Sequence, residues 1–159
     1  MNIKIICIGK IKENFLVDGI KEYSKRISKY CKLDIIEIND KKIPDNPNQA
    51  EIEQIKLQEA NEILKHISSK DYTISLDLKG NFLTSEELAK KTSDIYINGY
   101  NTITYIIGGS LGLHKTVLEK CNYSISFSKM TFPHQLFRLI LLEQIYRSFK
   151  INNNETYHK

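Results

Sequence analysis

The chain predicts an α/β protein with a mostly parallel sheet flanked by helices. Two observations carry this. Short apolar runs of strand character alternate with longer segments of helical period along nearly the whole length. Glycine or a polar loop closes these runs, as expected where strands hand over to helices.

The elements follow in order. Ile3 to Ile8 reads as a strand ended by Gly9. A helix is predicted from about Glu13 to Cys31, because Leu16, Ile20, Tyr23, Ile27 and Tyr30 recur at three- and four-residue steps. Lys21, Lys25 and Lys29 form a second row on it, either a solvated face or a phosphate-contacting stripe. Leu33 to Ile38 is the second strand. The loop Asn39–Asn48 carries Pro44 and Pro47, and a helix from Gln49 to Ile67 follows. Tyr72 to Leu78 is the third strand, with Lys79-Gly80-Asn81 as its turn. Thr84 and Glu87 have the spacing of a capping box, opening a helix that runs to about Tyr96 before Gly99. Thr102 to Ile107 is the fourth strand, a short helix spans His114 to Lys120, and Ser124 to Phe127 is the fifth strand. Pro133 fits the first position of a last helix that reaches Arg147, followed by a polar tail. That helix is apolar in almost every direction, so it should be enclosed on several sides.

Length and composition predict a single domain over residues 1–159: 41% of residues are hydrophobic and 26% charged. The net charge of +4 permits a nucleic-acid partner without requiring one. Cys7, Cys31 and Cys121 are dispersed, which reads as reduced thiols. Lys4 and Lys10 interrupt the apolar start, and no stretch is as long as a membrane span, so a cytoplasmic location with no membrane partner is expected.

Three strand ends are candidates for one pocket. Gly108-Gly-Ser-Leu-Gly112 follows a strand, but its spacing matches neither a dinucleotide fingerprint nor a P-loop. Leu76 to Gly80 and Phe127 to Phe132 are expected at the same edge, with Leu76, Met130 and Phe132 walling an apolar ring. The four histidines make no metal spacing with each other or with cysteine, so no metal is expected. Asp77 and Glu143 read as structural or capping groups. His134 and Arg138 share one helix face.

Several stretches resemble one family: IGKIKE, EYSKRISKY, SLDLKG, YIIGGSLGL and SFSKMTFPHQLFRLILLEQIYR, with the terminal YHK. They are similar to the ribosomal large subunit methyltransferase H family, small SPOUT methyltransferases. The resemblance implies a trefoil knot in the C-terminal half and a homodimer. It implies S-adenosylmethionine-dependent methylation of N3 of a pseudouridine in helix 69 of 23S rRNA, expected on the assembled ribosome. The cofactor positions it implies are Leu76, Gly108, Phe127, Ser128, Lys129, Met130, Thr131 and Phe132. His134, Arg138, Tyr157 and His158 are the candidates for catalysis. Asn154 and Thr156 depart from a glycine and a proline common in the family's tail. The rival readings are a non-catalytic ribosome-binding module of the same fold and a small-molecule enzyme.

Overall fold

In the computed structural model, which describes residues 1–157, five parallel strands form one sheet in the order β2-β1-β4-β3-β5. β1 (Asn2–Ile8) pairs with β2 (Lys32–Ile38) and β4 (Thr102–Ile107). β3 (Tyr72–Phe82) pairs with β4 and β5 (Tyr123–Ser126). Side chains alternate across the sheet, so neighbours in sequence serve different cores. Ile3, Ile5 and Cys7 enter a cluster with Ile27, Leu141, Leu142 and Phe149, on the side of α1 (Asn14–Ile27), α3 (Ser85–Ile97) and α5 (His134–Asn152). Ile6 and Ile8 enter another with Ala60, Ile63 and Val117, on the side of α2 (Gln49–Leu64) and α4 (Lys115–Lys120).

Local chemistry sets the helix ends. Asn48 and Glu51 form a capping box on α2, and Thr84 with Glu87 forms the expected one on α3. Gly99, at φ +92°, closes α3. Asn154, at φ +53°, closes α5 the same way: its N–H bonds Ile151 O at 3.0 Å and the Glu155 N–H bonds Lys150 O at 2.9 Å. This is the double bond pattern of a left-handed cap, and asparagine tolerates that geometry where a glycine is common. Lys21 and Lys25 are exposed on α1, as a solvated face would be, and Lys29 is exposed in the turn after it, since the helix ends at Ile27 and not at Cys31.

Three expectations need correction. The Lys79-Gly80-Asn81 segment does not end β3. Both Leu76 and Asn81 pair with Ile125, so β3 runs on with a bulge across residues 77–80 and then resumes its pairing with β5. A Cβ on Gly80 would lie 2.4 Å from the Ile125 carbonyl carbon, so only glycine lets the returning strand pass. Pro133 is the N-cap, with ψ 131°, and the helix starts at His134. The last helix does not stop at Arg147. It continues to Asn152, because Ser148 and Phe149 are buried and Phe149 stacks on Tyr30 with ring centroids 5.4 Å apart.

Candidate active site

The carboxyl ends of β3, β4 and β5 converge on a cavity of about 760 Å³, a size suited to a drug-sized ligand. Leu76, Ile107 and Ile125 form its apolar floor. Residues 108–112 make one wall. There Gly112 N–H bonds Gly109 O at 3.0 Å, which folds the loop back on itself. A Cβ on Gly108 would meet the Gly112 carbonyl carbon at 2.9 Å, so this turn requires glycine at position 108.

The segment after β5 makes the opposite wall. Ser126 Oγ donates to Ser128 O at 3.0 Å, and Met130 N–H donates to Ser128 Oγ at 2.9 Å. Phe137 on α5 backs this wall, with ring centroids 5.1 Å from Phe127 and 6.3 Å from Phe132. Leu76, Gly108, Phe127, Ser128, Met130, Thr131 and Phe132 all line the cavity, as expected, while Lys129 is exposed and does not line it. Asp77 accepts from the Lys79 N–H at 3.1 Å, a local capping role.

His134 stands at the cavity lip, half-buried, with Nε2 3.4 Å from where a Gly9 Cβ would be. Arg138, one turn on, does not line the cavity. Its side chain is 2% exposed; Nη1 donates to Glu37 at 2.6 Å and Nη2 to Gly9 O at 2.9 Å. Its Nε has no partner among the described residues. The guanidinium therefore points at the loop after β1, away from any phosphate in the cavity.

Tyr157 is not a frayed end. Its phenol donates to Glu143 at 3.0 Å, its ring meets Tyr146 edge-on at 4.9 Å, and the Arg147 guanidinium lies 4.7 Å from its centroid. Burial, then its contacts with Tyr23 and Glu143, push the phenol well above the ordinary tyrosine range. In this arrangement its hydroxyl is committed as a donor to Glu143. Residues 143–147 sit roughly 15 Å along the helix from His134, given about 1.5 Å rise per residue. Tyr157 and the lip of its own chain's cavity are therefore apart. His158, the remaining catalytic candidate, lies outside the described residues.

Sequence reasoning missed Glu37, Gln135, Lys56 and Glu59. Glu37 carries a signal, an acid in the penultimate position of an apolar strand run. Lys56 lines the cavity from α2 and has no such signal. Glu59 is 5% exposed, accepts from the Lys41 N–H at 3.3 Å, and has its carboxyl held above the usual range by burial. Among the described residues there is no group of three metal-binding side chains, and no helix is long and apolar enough to cross a membrane.

The family model described as a predicted SPOUT methyltransferase matches residues 1–158. The chain is 56% identical over 159 residues to the ribosomal RNA large subunit methyltransferase H of Clostridium novyi (strain NT), covering all of both chains. It is 58% identical, with the same full coverage, to a putative ribosomal RNA large subunit methyltransferase H of Methanococcus maripaludis (strain C5 / ATCC BAA-1333). A probable methylase family protein from Haemophilus influenzae Rd KW20 has the same fold, with a TM-score of 0.53 at 15% identity over 99% of this chain and 70% of that one. A glycine-walled cavity at the carboxyl edge of a parallel sheet, in a chain matched from end to end, leads to one assignment: the chain belongs to the SPOUT methyltransferase family.

Proposed function

We propose that this protein is an S-adenosylmethionine-dependent methyltransferase acting on N3 of a pseudouridine in helix 69 of 23S rRNA, on the assembled ribosome. The observation that carries the reading is the cavity between residues 108–112 and 126–132, together with full-length relatives named for ribosomal RNA methylation. The residues fit the cofactor. Leu76, Ile107 and Phe127 offer apolar surface for a purine, and residues 108–112 bring backbone to the cavity wall beside it. S-adenosylmethionine supplies a methyl group on a positively charged sulfur.

The chain's own residues have three tasks. The two walls bind and orient, and fixed orientation can supply up to roughly 7–11 kcal/mol of the barrier. Phe132 and Met130 give the cavity an apolar rim, still exposed to solvent, against which a bound ligand packs. His134, at the lip, accepts or shares the proton that N3 must lose. Arg138 serves by position, since its two terminal nitrogens are engaged by Glu37 and the Gly9 carbonyl.

The reading includes a homodimer around α5. Ile140 lines a hollow of about 240 Å³ with Leu83, Leu88 and Phe127, and Leu136, Leu139 and Ile140 are only half-buried. A second copy covering this face would bring its own tail, with Tyr157 and His158, toward the cavity, from which Tyr157 of the same chain is apart. Labelled methyl transfer to ribosomal subunits, assembled ribosomes and free rRNA tests the function. Transfer to assembled ribosomes is expected. Binding without transfer to any of the three would favour a non-catalytic ribosome-binding module.

A further inference from the structure

The loop from Gly9 to Glu13, between β1 and α1, is held by three side chains from elsewhere in the chain. Glu37 accepts from the Ile11 N–H at 3.3 Å as well as from Arg138 at 2.6 Å. Arg138 also donates to Gly9 O at 2.9 Å. Gln135 accepts from the Lys12 N–H at 3.2 Å. Gln135 and Arg138 both belong to the first turns of α5, beside His134. A short loop is thus tied at both backbone polarities to the helix that carries the cavity lip.

Burying a guanidinium to hold a loop costs desolvation, and one of its N–H groups has no partner among the described residues. The outcome is a rigid loop that presents Lys10 and Lys12. Both are exposed, and neither has a carboxylate partner among the described residues. Arg138 takes the Glu37 charge, which would otherwise attract them. The exposed Glu13 is the remaining carboxylate on the loop. Around the mouth the lining is mixed in sign, with Lys79 beside Asp77 and Lys56 3.8 Å from Glu53, so the unpaired positive charge of this edge is concentrated on Lys10 and Lys12.

We propose that this loop is a pre-organised grip for the RNA phosphodiester backbone, with Lys10 and Lys12 as phosphate contacts and Glu37 and Arg138 as positioning residues. The proposal rests on the reading of the chain as an rRNA-acting enzyme, and names where that RNA is held. A strand seated on Lys10 and Lys12 runs beside His134, so the grip sets the register of the target base against the lip. Loop rigidity matters here, because ordering flexible side chains and loops on binding costs affinity.

The two roles leave different signatures. Removing a phosphate contact lowers the salt dependence of binding, by about one unit in the log–log slope per lysine. Releasing the loop weakens binding while the contacts, once made, stay the same in number. Filter binding of labelled ribosomes across a salt series reads both, alongside methyl-transfer KM and kcat and cofactor calorimetry. Lys10→Ala/Lys12→Ala is expected to raise the ribosome Kd and KM at least tenfold and flatten the salt slope by about 1.5–2, with kcat and cofactor affinity unchanged. Glu37→Ala is expected to raise KM several-fold with the wild-type slope, and Glu37→Gln, which keeps an acceptor for both donors, restores it. Circular dichroism and melting temperature confirm that the variants compared are folded.

An unchanged slope and KM in the lysine double variant of a protein that methylates ribosomes overturns the grip and leaves the enzymatic reading standing. A slope that falls as expected in a protein that transfers no methyl supports the grip and overturns the enzymatic reading. Wild-type protein that binds no ribosome overturns both.

Discussion

Gly108→Val tests the cavity most directly. The added Cβ would lie 2.9 Å from the Gly112 carbonyl carbon, 3.1 Å from its oxygen and 3.1 Å from Leu113 Cγ. Carbon pairs rest at about 3.5–4.0 Å, so the 108–112 turn must open by roughly 0.6 Å or more. Two of the three neighbours are backbone and cannot rotate away. The two further methyl groups of valine then project into the cavity or onto Leu113. Overpacking of this kind costs about 1–3 kcal/mol of stability, which a protein of this size tolerates without unfolding. Cofactor affinity should fall at least tenfold, about 1.4 kcal/mol, because the wall itself moves. Calorimetry with S-adenosylmethionine in EDTA measures it, with melting temperature as the folding control. Gly112→Ala is the companion: its Cβ meets nothing within 4 Å, but φ is +79°, so it carries backbone strain of about 1–2 kcal/mol without a clash. Wild-type affinity in a folded Gly108→Val protein would remove the 108–112 wall from the cofactor site. Heat that appears only after a divalent ion is added would refute a metal-free site.

Three further outcomes are expected. Ile140→Asp should shift light-scattering mass from dimer toward monomer, because a charge in the α5 interface would be buried unpaired; an unchanged dimer would move the interface off the Ile140 side of that helix. Deleting Tyr157–Lys159 should leave dimer mass and cofactor affinity nearly intact, since the Glu143–Arg147 ion pair at 2.6 Å persists without the phenol, while methyl transfer falls strongly; full activity would confine the active site to the body of the protein. Glu59→Gln should flatten one part of the pH–stability curve. Burial raises the folded carboxyl, so its contribution is fully present below the unfolded value and is lost as pH rises through the folded value. Urea unfolding across pH 4–8 should therefore show the variant gaining on wild type toward neutral pH, and an unchanged difference would mean that Glu59 is solvated.

The strands, the Thr84–Glu87 capping box and the convergence of Leu76, Gly108 and residues 127–132 were legible from composition, period, a side chain reaching its own helix end and glycine where a strand gives way to a loop. The Asn48–Glu51 box emerged only in the structure. The resemblance carried the cofactor positions, and all but Lys129 came together at the cavity. Arg138 shows where local reading stops. Its place on the same face as His134 follows from the 3.6-residue period, but its partners are Glu37 and Gly9, 101 and 129 residues away, and strand order alone brings them under α5. Tyr157 is similar: the tail's composition suggests a loose end, while Tyr23, Glu143 and Tyr146 make a slot for it. The bulge across residues 77–80 has the same origin, since Gly80 reads as a turn until the Ile125 backbone is seen 2.4 Å from its missing Cβ. Local periodicity and capping therefore determined which segments are strands and helices, and which strand ends carry glycine. The order β2-β1-β4-β3-β5 decided which distant side chains meet, because pairing across a parallel sheet depends on crossovers that no short window of sequence contains.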